Sequence, residues 1–473
     1  MWRILAALFL SILFVLQFHR AATQSITVDE ARVYIDFIRP DPPVLLNTYE
    51  AAHHVLQTYL SWFFSRRWGG SELVLRIPAL LGCIGWFAFA YRFSAHVLGR
   101  GALFFGGVLV LACHPLLLDH LTLARGYGLA AALFGWAVYC SVRFVESRSR
   151  NFLTAAGVFS ALCVSSNLTF LFPICAVALL VCRASFSSDG ASAPFLRRAS
   201  ARLPTLINDY LGPAVILGGL ILILPLTHID PRDHYYFGAA SWGDIIASLI
   251  KTAFDRRWTP PLATIFGYLT LLALSMLAAA GAWFARPSRQ NIAATRIASF
   301  ALILALAATA LAHVALNMRL PLDRTALWLI TLLTIAAVAG CAALVKGYPQ
   351  STPALTSVFV LLAAAYLIQY DTHYVLEWRY TKATKHFMSL ISAREAGRGR
   401  SYTISGDPEY KFPADYYRIR WKLANMAEMK FGGPIPTADY YLLHGITPAE
   451  AEARFGVKLV EEDRECVCLL AAR

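Results

Sequence analysis

Charged residues are scarce in this chain of 473 residues, at 15% of the composition. Soluble domains carry about 25% charged residues and about 45–50% apolar ones, against 58% apolar residues here. The composition therefore excludes an ordinary soluble enzyme and predicts an integral membrane protein. The formal net charge is +13, but the basic residues lie in short loops between apolar runs. That is the positive-inside pattern, so we do not expect nucleic acid as a partner.

Metal-binding motifs are also missing from the sequence. It has no CxxC and no Cys/His cluster with zinc spacing, and seven of its nine cysteines lie in apolar runs, where cysteine acts as a small hydrophobe. Cys466 and Cys468 alternate on a predicted strand, so we expect no disulfide between them. The sequence therefore predicts no required cofactor, with a divalent metal left open as an alternative.

Apolar runs recur through the first three quarters of the chain, and a crossing helix needs about 17–25 such residues. The first run has no small-residue cleavage site beside it and is interpreted as an uncleaved helix. We predict about 11 crossings, at 2–18, 73–98, 101–118, 121–145, 152–166, 167–182, 211–228, 261–285, 297–316, 325–345 and 353–370.

The basic loops fall on one side of these crossings, which predicts a cytoplasmic N-terminus in the inner (plasma) membrane. The outer side then receives the large loop 19–72, the turn around Asp119 and His120, the loop 229–260, the turn 317–324 and the tail. We expect a transmembrane domain over 1–370 and an extracytoplasmic α/β domain over 371–473. In the tail we predict strands at 401–405 and 439–443, a helix over 413–429, a capping box at Thr447 and a closing hairpin.

An acidic pair, Asp29 and Glu30, follows the first apolar run. Carboxylates near lipid are costly unless they have a partner or a task. The pair opens a loop rich in His, Tyr, Trp and Arg, which is typical of a catalytic loop at a membrane surface.

Three segments resemble the opening of the GT-C glycosyltransferases, in the branch of the protein O-mannosyltransferases and the aminoarabinose transferase of lipid A. In chain order they are Thr27-Val28-Asp29-Glu30-Ala31, Trp68-Gly69-Gly70-Ser71-Glu72 with Arg76-Ile77-Pro78, and Ala124-Arg125-Gly126-Tyr127-Gly128-Leu129. Many relatives carry His-Pro-Pro in the first loop, where this chain has His54-Val55-Leu56.

The resemblance implies a sugar donor on a polyprenyl phosphate and an inverting transfer to a glycan, lipid or protein acceptor at the outer face. It aligns Asp29 with the family's catalytic acid, which makes this residue the predicted general base, and Glu30 is expected to orient a partner or the acceptor. The leaving phosphate needs cations, for which Arg76, Arg125 and Arg324 are the candidates. The residues assigned to acceptor or sugar binding are His53, His54 and Tyr127.

Two functions from other classes stay open on the sequence alone. A lipid-linked substrate transporter or flippase would need ionisable residues along a path through the helices, whereas most charges here lie at helix ends. A non-catalytic membrane scaffold would have no use for the Asp29-Glu30 loop. The enzyme that the resemblance implies, a hexosyl- or pentosyltransferase, is therefore favoured over both.

Overall fold

The computed structural model describes residues 1–40, 50, 53–186, 202–228, 237–284, 292–430, 432–435 and 437–473. Parts of the predicted loops, 41–49, 51–52 and 229–236, lie outside the described residues. Among the described residues, nine helices are long and apolar enough to cross a membrane: Trp2–Thr23, Glu72–Leu98, Gly126–Ser147, Leu168–Phe186, Arg202–Thr227, Pro260–Trp283, Ala293–Leu316, Asp323–Gly347 and Pro349–Ile368.

The other two predicted crossings are shorter helices, Ala102–Ala112 and Arg150–Ser166, of 11 and 17 residues. Large apolar side chains face outward along the bundle, and Leu220 and Leu361 are 74% and 69% exposed. Such surface is costly in water and favourable against lipid tails. The expected fold class, a polytopic helical membrane domain followed by a small α/β domain, is confirmed.

Short helices lie between the spans on one side of the bundle, which we call the loop face. They are Val28–Val33, Tyr34–Ile38, Val55–Trp68, Pro115–His120, Trp242–Phe254, Asp323–Ala326 and Leu376–Thr381. Asp119 accepts hydrogen bonds from Arg20 at 2.7 Å and Arg256 at 2.6 Å. The Gln24 side chain donates to the Thr372 carbonyl at 3.0 Å. The segments predicted for the outer side therefore meet on the loop face.

The tail contains a four-stranded sheet, β1 Ile404–Gly406, β2 Tyr440–His444, β3 Lys458–Asp463 and β4 Cys468–Ala472, in the order β1-β2-β4-β3. β1 and β2 are parallel, and the other pairs are antiparallel. Its helices are Thr384–Glu395, Lys411–Arg420 and Pro448–Phe455. The predicted helix over 413–429 ends early, because Lys422 has a left-handed φ of 54°.

The expectation for Cys466 and Cys468 is wrong, since a disulfide joins them. Cys466 lies in a turn before β4, and Val467 has a left-handed φ of 53°. An extended strand would have kept the alternation that the prediction assumed, whereas this turn brings the two sulfurs together.

The tail and the first loop share one hydrophobic core. Ile26 and Val33 of the loop pack in the same cluster as Phe387 and Tyr410 of the tail. The Tyr417 hydroxyl accepts a hydrogen bond from the Ile26 backbone N–H at 3.0 Å. The tail therefore helps to position the helix that carries the acidic pair.

Candidate active site

The acidic pair opens the helix Val28–Val33, where Thr27 and Glu30 form a reciprocal capping box. The Thr27 hydroxyl accepts from the Glu30 N–H at 3.3 Å, and the Glu30 carboxylate accepts from the Thr27 N–H at 3.0 Å. The box satisfies two otherwise unpaired N–H groups of the first turn. It leaves the side chain of Asp29 22% exposed and that of Glu30 1% exposed, so the two neighbours have opposite surroundings.

Glu30 forms a bidentate pair with Arg76, whose Nε and Nη2 donate to its two oxygens at 2.9 and 2.7 Å. The Ala124 N–H donates to the same carboxylate at 2.6 Å. Burial acts to raise the pKa of Glu30, but Arg76 and the hydrogen bonds outweigh it, and the pKa is lowered overall. The remaining Arg76 donors bond the carbonyls of Ala21, Gln24 and Ser25 at 3.1, 3.0 and 2.9 Å.

These contacts use all five N–H donors that a guanidinium carries. Arg76 therefore has no free donor to offer a lipid phosphate in this conformation. Arg76 and Glu30 tie the first loop to the helix Glu72–Leu98 and to the turn before Gly126.

Asp29 lies between two arginines of different burial. Arg125, with a side chain only 3% exposed, places Nη2 at 3.1 Å from the Asp29 Oδ2. Arg324 places Nη2 at 3.7 Å from the same oxygen, and its Nη1 pairs with Glu377. Two guanidinium groups and two carboxylates thus meet on the loop face.

Arg324 is held in place by the turn before it. Asp323 has a left-handed φ of 46°, a conformation that Asp adopts more readily than most residues. Its carboxylate accepts from the Ser248 hydroxyl at 2.8 Å, and its N–H donates to the same hydroxyl at 2.7 Å. The guanidinium of Arg324 lies over the rings of Phe237 and Trp378, at 4.1 and 5.4 Å from their centroids, where cation–π attraction stabilises it.

Sequence reasoning missed Glu377 and Trp378. They lie on the short helix Leu376–Thr381, which follows the last span, and the N–H of Leu376 donates to Asp119 at 3.2 Å. The available signal was an acid next to a Trp at the outer end of the last apolar run. The predicted boundary at residue 371 therefore separates two site residues from the rest of the site.

Two histidines flank Tyr127 at the start of the helix Gly126–Ser147. The ring centroids of His54 and His120 lie 4.8 and 4.9 Å from that of Tyr127. Glycines make this approach possible. A Cβ on Gly126 would lie 1.9 Å from the Ser166 carbonyl oxygen and 2.8 Å from the His54 Cβ. A Cβ on Gly128 would lie 2.3 Å from the His120 carbonyl oxygen.

The surroundings of both rings favour the neutral imidazole by lowering its pKa. Burial, with a further contribution from Arg125 and Arg324, holds the pKa of His54 well below its usual range. Burial lowers the pKa of His120 to about 3, against an opposing effect of Asp119. Neutral imidazoles beside two arginines add hydrogen-bonding capacity to the site without adding charge.

The structure brings together five of the predicted residues: Asp29, Arg125, Arg324, His54 and Tyr127. Glu30 and Arg76 form a separate buried pair. His53 stacks on Phe37, with ring centroids 4.7 Å apart. No group of three His, Cys, Asp or Glu side chains suited to a metal ion is found among the described residues, and metal independence stays a prediction.

Fold and site together define a multi-pass membrane protein with a carboxylate–arginine cluster on its loop face. No family model and no curated protein matches the chain.

Solved structures are similar to it over nearly its whole length. One is ArnT from Cupriavidus metallidurans in the apo state, with 12% identity and a TM-score of 0.41, covering 98% of this chain and 97% of that one. The same protein bound to undecaprenyl phosphate has 11% identity, a TM-score of 0.39 and the same coverage. Archaeal oligosaccharyltransferase AglB from Archaeoglobus fulgidus, in complex with an inhibitory peptide and a dolichol-phosphate, has 11% identity and a TM-score of 0.46, covering 94% and 69%. At these TM-scores we base the function on the site alone.

Proposed function

We propose that this protein is a membrane glycosyltransferase that moves a sugar from a polyprenyl-phosphate donor to an acceptor hydroxyl or amine at the extracytoplasmic face. One observation carries the proposal. A partly open carboxylate, Asp29, lies 3.1 Å from Arg125 and 3.7 Å from Arg324 on the loop face. A base beside two phosphate-binding groups suits glycosyl transfer from a lipid phosphate.

In the proposed step the acceptor oxygen or nitrogen attacks the anomeric carbon of the donor sugar. The bond from that carbon to the phosphate oxygen breaks, and its electron pair leaves with the polyprenyl phosphate. Asp29 takes the acceptor proton, because a hydroxyl is a poor nucleophile until a base removes its proton. Attack opposite to the leaving group inverts the anomeric centre.

Arg125 and Arg324 would stabilise the charge that grows on the leaving phosphate. Arginine suits this task, since its planar fork can bond two phosphate oxygens at once. In the structure Asp29 and Glu377 neutralise Arg324. A donor phosphate entering between the arginines would replace these carboxylates and free Asp29 to act as the base.

We assign Glu30 and Arg76 to positioning rather than to contact with substrate. Their pair is fully buried, and the donors of Arg76 are used within the protein. The pair would hold in place the capped turn that positions Asp29 beside Arg125 and Arg324.

We place the loop face and the tail outside the cytoplasm, in a multi-pass inner-membrane protein. The basic loops on the opposite side support this orientation. The disulfide between Cys466 and Cys468 also favours an oxidising compartment for the tail. The sugar can be a hexose or a pentose.

Replacement of Asp29 by Asn tests the proposal. The substitution keeps size and polarity but removes the base, so the rate should fall by about 10²–10⁴-fold. The measurement is the release of undecaprenyl phosphate from a panel of undecaprenyl-phosphate sugars, in membranes that contain the native acceptors. Asp36→Asn is the matched control, since Asp36 lies on the same loop, 39% exposed and paired with Arg32. A near wild-type rate for Asp29→Asn would remove Asp29 from this role.

A further inference from the structure

His120 is a fully buried polar side chain beside the carboxylate–arginine cluster that the proposed mechanism leaves unused. Its relative exposure is 0%. Neither Nδ1 nor Nε2 has a hydrogen-bond partner among the residues that the structure describes. A buried polar group without a partner is destabilising, which is a reason to expect a ligand that supplies the missing bonds.

The ring is held firmly in this position. The preceding residue, Asp119, bonds Arg20, Arg256 and the Leu376 N–H. The His120 ring packs on Tyr127 and, edge to face, on Trp378 at 6.1 Å between centroids. Trp378 in turn lies under the guanidinium of Arg324. His120 is therefore a fixed neighbour of the proposed phosphate site, and the rings of Tyr127 and Trp378 pack against it.

The chemistry of the ring selects the kind of ligand. A neutral imidazole carries one N–H donor and one acceptor nitrogen. A hydroxyl group both donates and accepts, so neighbouring sugar hydroxyls can satisfy both nitrogens. A fully ionised phosphate only accepts, and it would leave the acceptor nitrogen unpaired. His54, whose ring also packs against Tyr127, offers a second buried nitrogen, Nε2, without a partner among the described residues.

We propose that His120, with His54 and the rings of Tyr127 and Trp378, forms the subsite that binds the sugar of the donor through its hydroxyl groups, apart from the arginines that bind the phosphate. The proposal rests on the proposed function. It assigns recognition of the sugar and recognition of the lipid phosphate to different residues. Aromatic rings beside hydrogen-bonding groups suit a sugar, whose faces are apolar and whose edge is polar.

The test compares the affinity for the lipid phosphate alone with the affinity for the sugar-loaded lipid. Both are measured on the purified full-length protein in lipid nanodiscs. The probes are undecaprenyl phosphate and its mannose-, glucose- and arabinose-loaded forms. His120→Phe removes both nitrogens and keeps an aromatic ring. We expect it to bind bare undecaprenyl phosphate as the wild type does, and to bind the preferred sugar-loaded form about tenfold more weakly or worse.

Two further variants separate recognition from folding. His120→Gln restores a donor and an acceptor and should recover part of the affinity for the sugar-loaded lipid. His114→Phe is the matched control: His114 is buried, lacks a partner for Nδ1 among the described residues, and packs on Tyr366 instead. It should leave both affinities unchanged.

Each other outcome counts against the subsite. His120→Phe with an unchanged preference for the sugar-loaded lipid would overturn it, and so would an equal loss for the bare and loaded lipids. A wild-type protein that binds bare undecaprenyl phosphate without preferring any loaded form would overturn the subsite and leave the Asp29 assay to decide the proposed function. A wild-type protein that binds none of the lipids would contradict the proposed function itself.

Discussion

Asp29 and Glu30 show how one bond along the chain separates two chemical roles. Both residues lie in the first turn of a capped helix, yet Asp29 belongs to the carboxylate–arginine cluster and Glu30 pairs with the buried Arg76. Their order in the sequence marked the pair as important, and the resemblance selected Asp29. The partner of Glu30 could not be read locally, because Arg76 lies 46 residues away along the chain.

We predict that Glu30→Gln destabilises the protein, because it leaves Arg76 buried without a counter-charge. Removing one partner of a buried pair costs about 3–5 kcal/mol, which thermal unfolding of the purified protein in detergent will show. The double variant Glu30→Gln with Arg76→Gln should lose less than the single changes suggest, because no buried charge remains. Equal stability of Glu30→Gln and the wild type would contradict the positioning role.

The same pair predicts a pH dependence of stability. The folded-state pKa of Glu30 is lowered from a reference value of 4.5. Ionised Glu30 therefore makes its full contribution to the stability of the fold above pH 4.5. That contribution is lost as the pH falls through the lowered folded-state pKa. Glu30→Gln should remove this part of the acid destabilisation, and an unchanged acid profile would speak against it.

We predict that Arg324→Ala lowers the rate of transfer by about 10²–10³-fold with little change in protein level, because it removes a charge-stabilising group. Arg324→Lys should recover only part of the rate, since lysine lacks the planar fork. Arg319→Ala, an exposed change on the same turn, is the matched control. The measurement is donor turnover in isolated membranes.

The same assay tests whether the two arginines act without a divalent ion. Activity should survive a chelator. Loss of activity with the chelator and its return with a divalent ion would overturn the metal-free account.

At the scale of elements, the apolar runs predicted the spans to within a few residues in most cases, because length and hydrophobicity decide a crossing. The run 121–145 is the instructive exception. Its helix begins at Gly126, and Arg125 is the N-cap rather than a residue inside the helix. At this end of the helix, Gly126 and Gly128 closely approach the backbone of Ser166 and His120, and hydrophobic periodicity does not reveal such contacts.

These two glycines lead to a prediction about the element that carries Tyr127. Gly128→Ala should displace His120 or Tyr127, since its Cβ would lie 2.3 Å from the His120 carbonyl oxygen. A misplacement of about 1 Å can cost about 10²-fold in rate. Gly101→Ala is the control, because nothing lies within 4 Å of its Cβ and its φ is −86°. Donor turnover near the wild-type rate in Gly128→Ala would show that the close approach is not needed.

At the scale of the whole molecule, the segments of the loop face come from every third of the chain. The tail contributes Glu377 and Trp378, which contact Arg324. Its Tyr417 hydroxyl accepts a hydrogen bond from Ile26, 391 positions away along the chain. Hydrophobic patterning indicated an α/β tail but not this shared core, because contacts at such separation leave no local periodicity. The tail and the loop face must therefore lie on the same side of the membrane.

That geometry makes the orientation of the whole molecule testable with single cysteines. Ala453 is exposed on the tail helix Pro448–Phe455, and Ser147 is exposed at the end of the helix Gly126–Ser147 that is predicted to be cytoplasmic. A membrane-impermeant maleimide should label Ala453→Cys in spheroplasts and label Ser147→Cys only after permeabilisation. The asymmetry follows from the positive-inside distribution of the basic loops. The reverse labelling pattern would place the carboxylate–arginine cluster on the cytoplasmic side. The tail would then lie in a reducing environment that does not favour its disulfide.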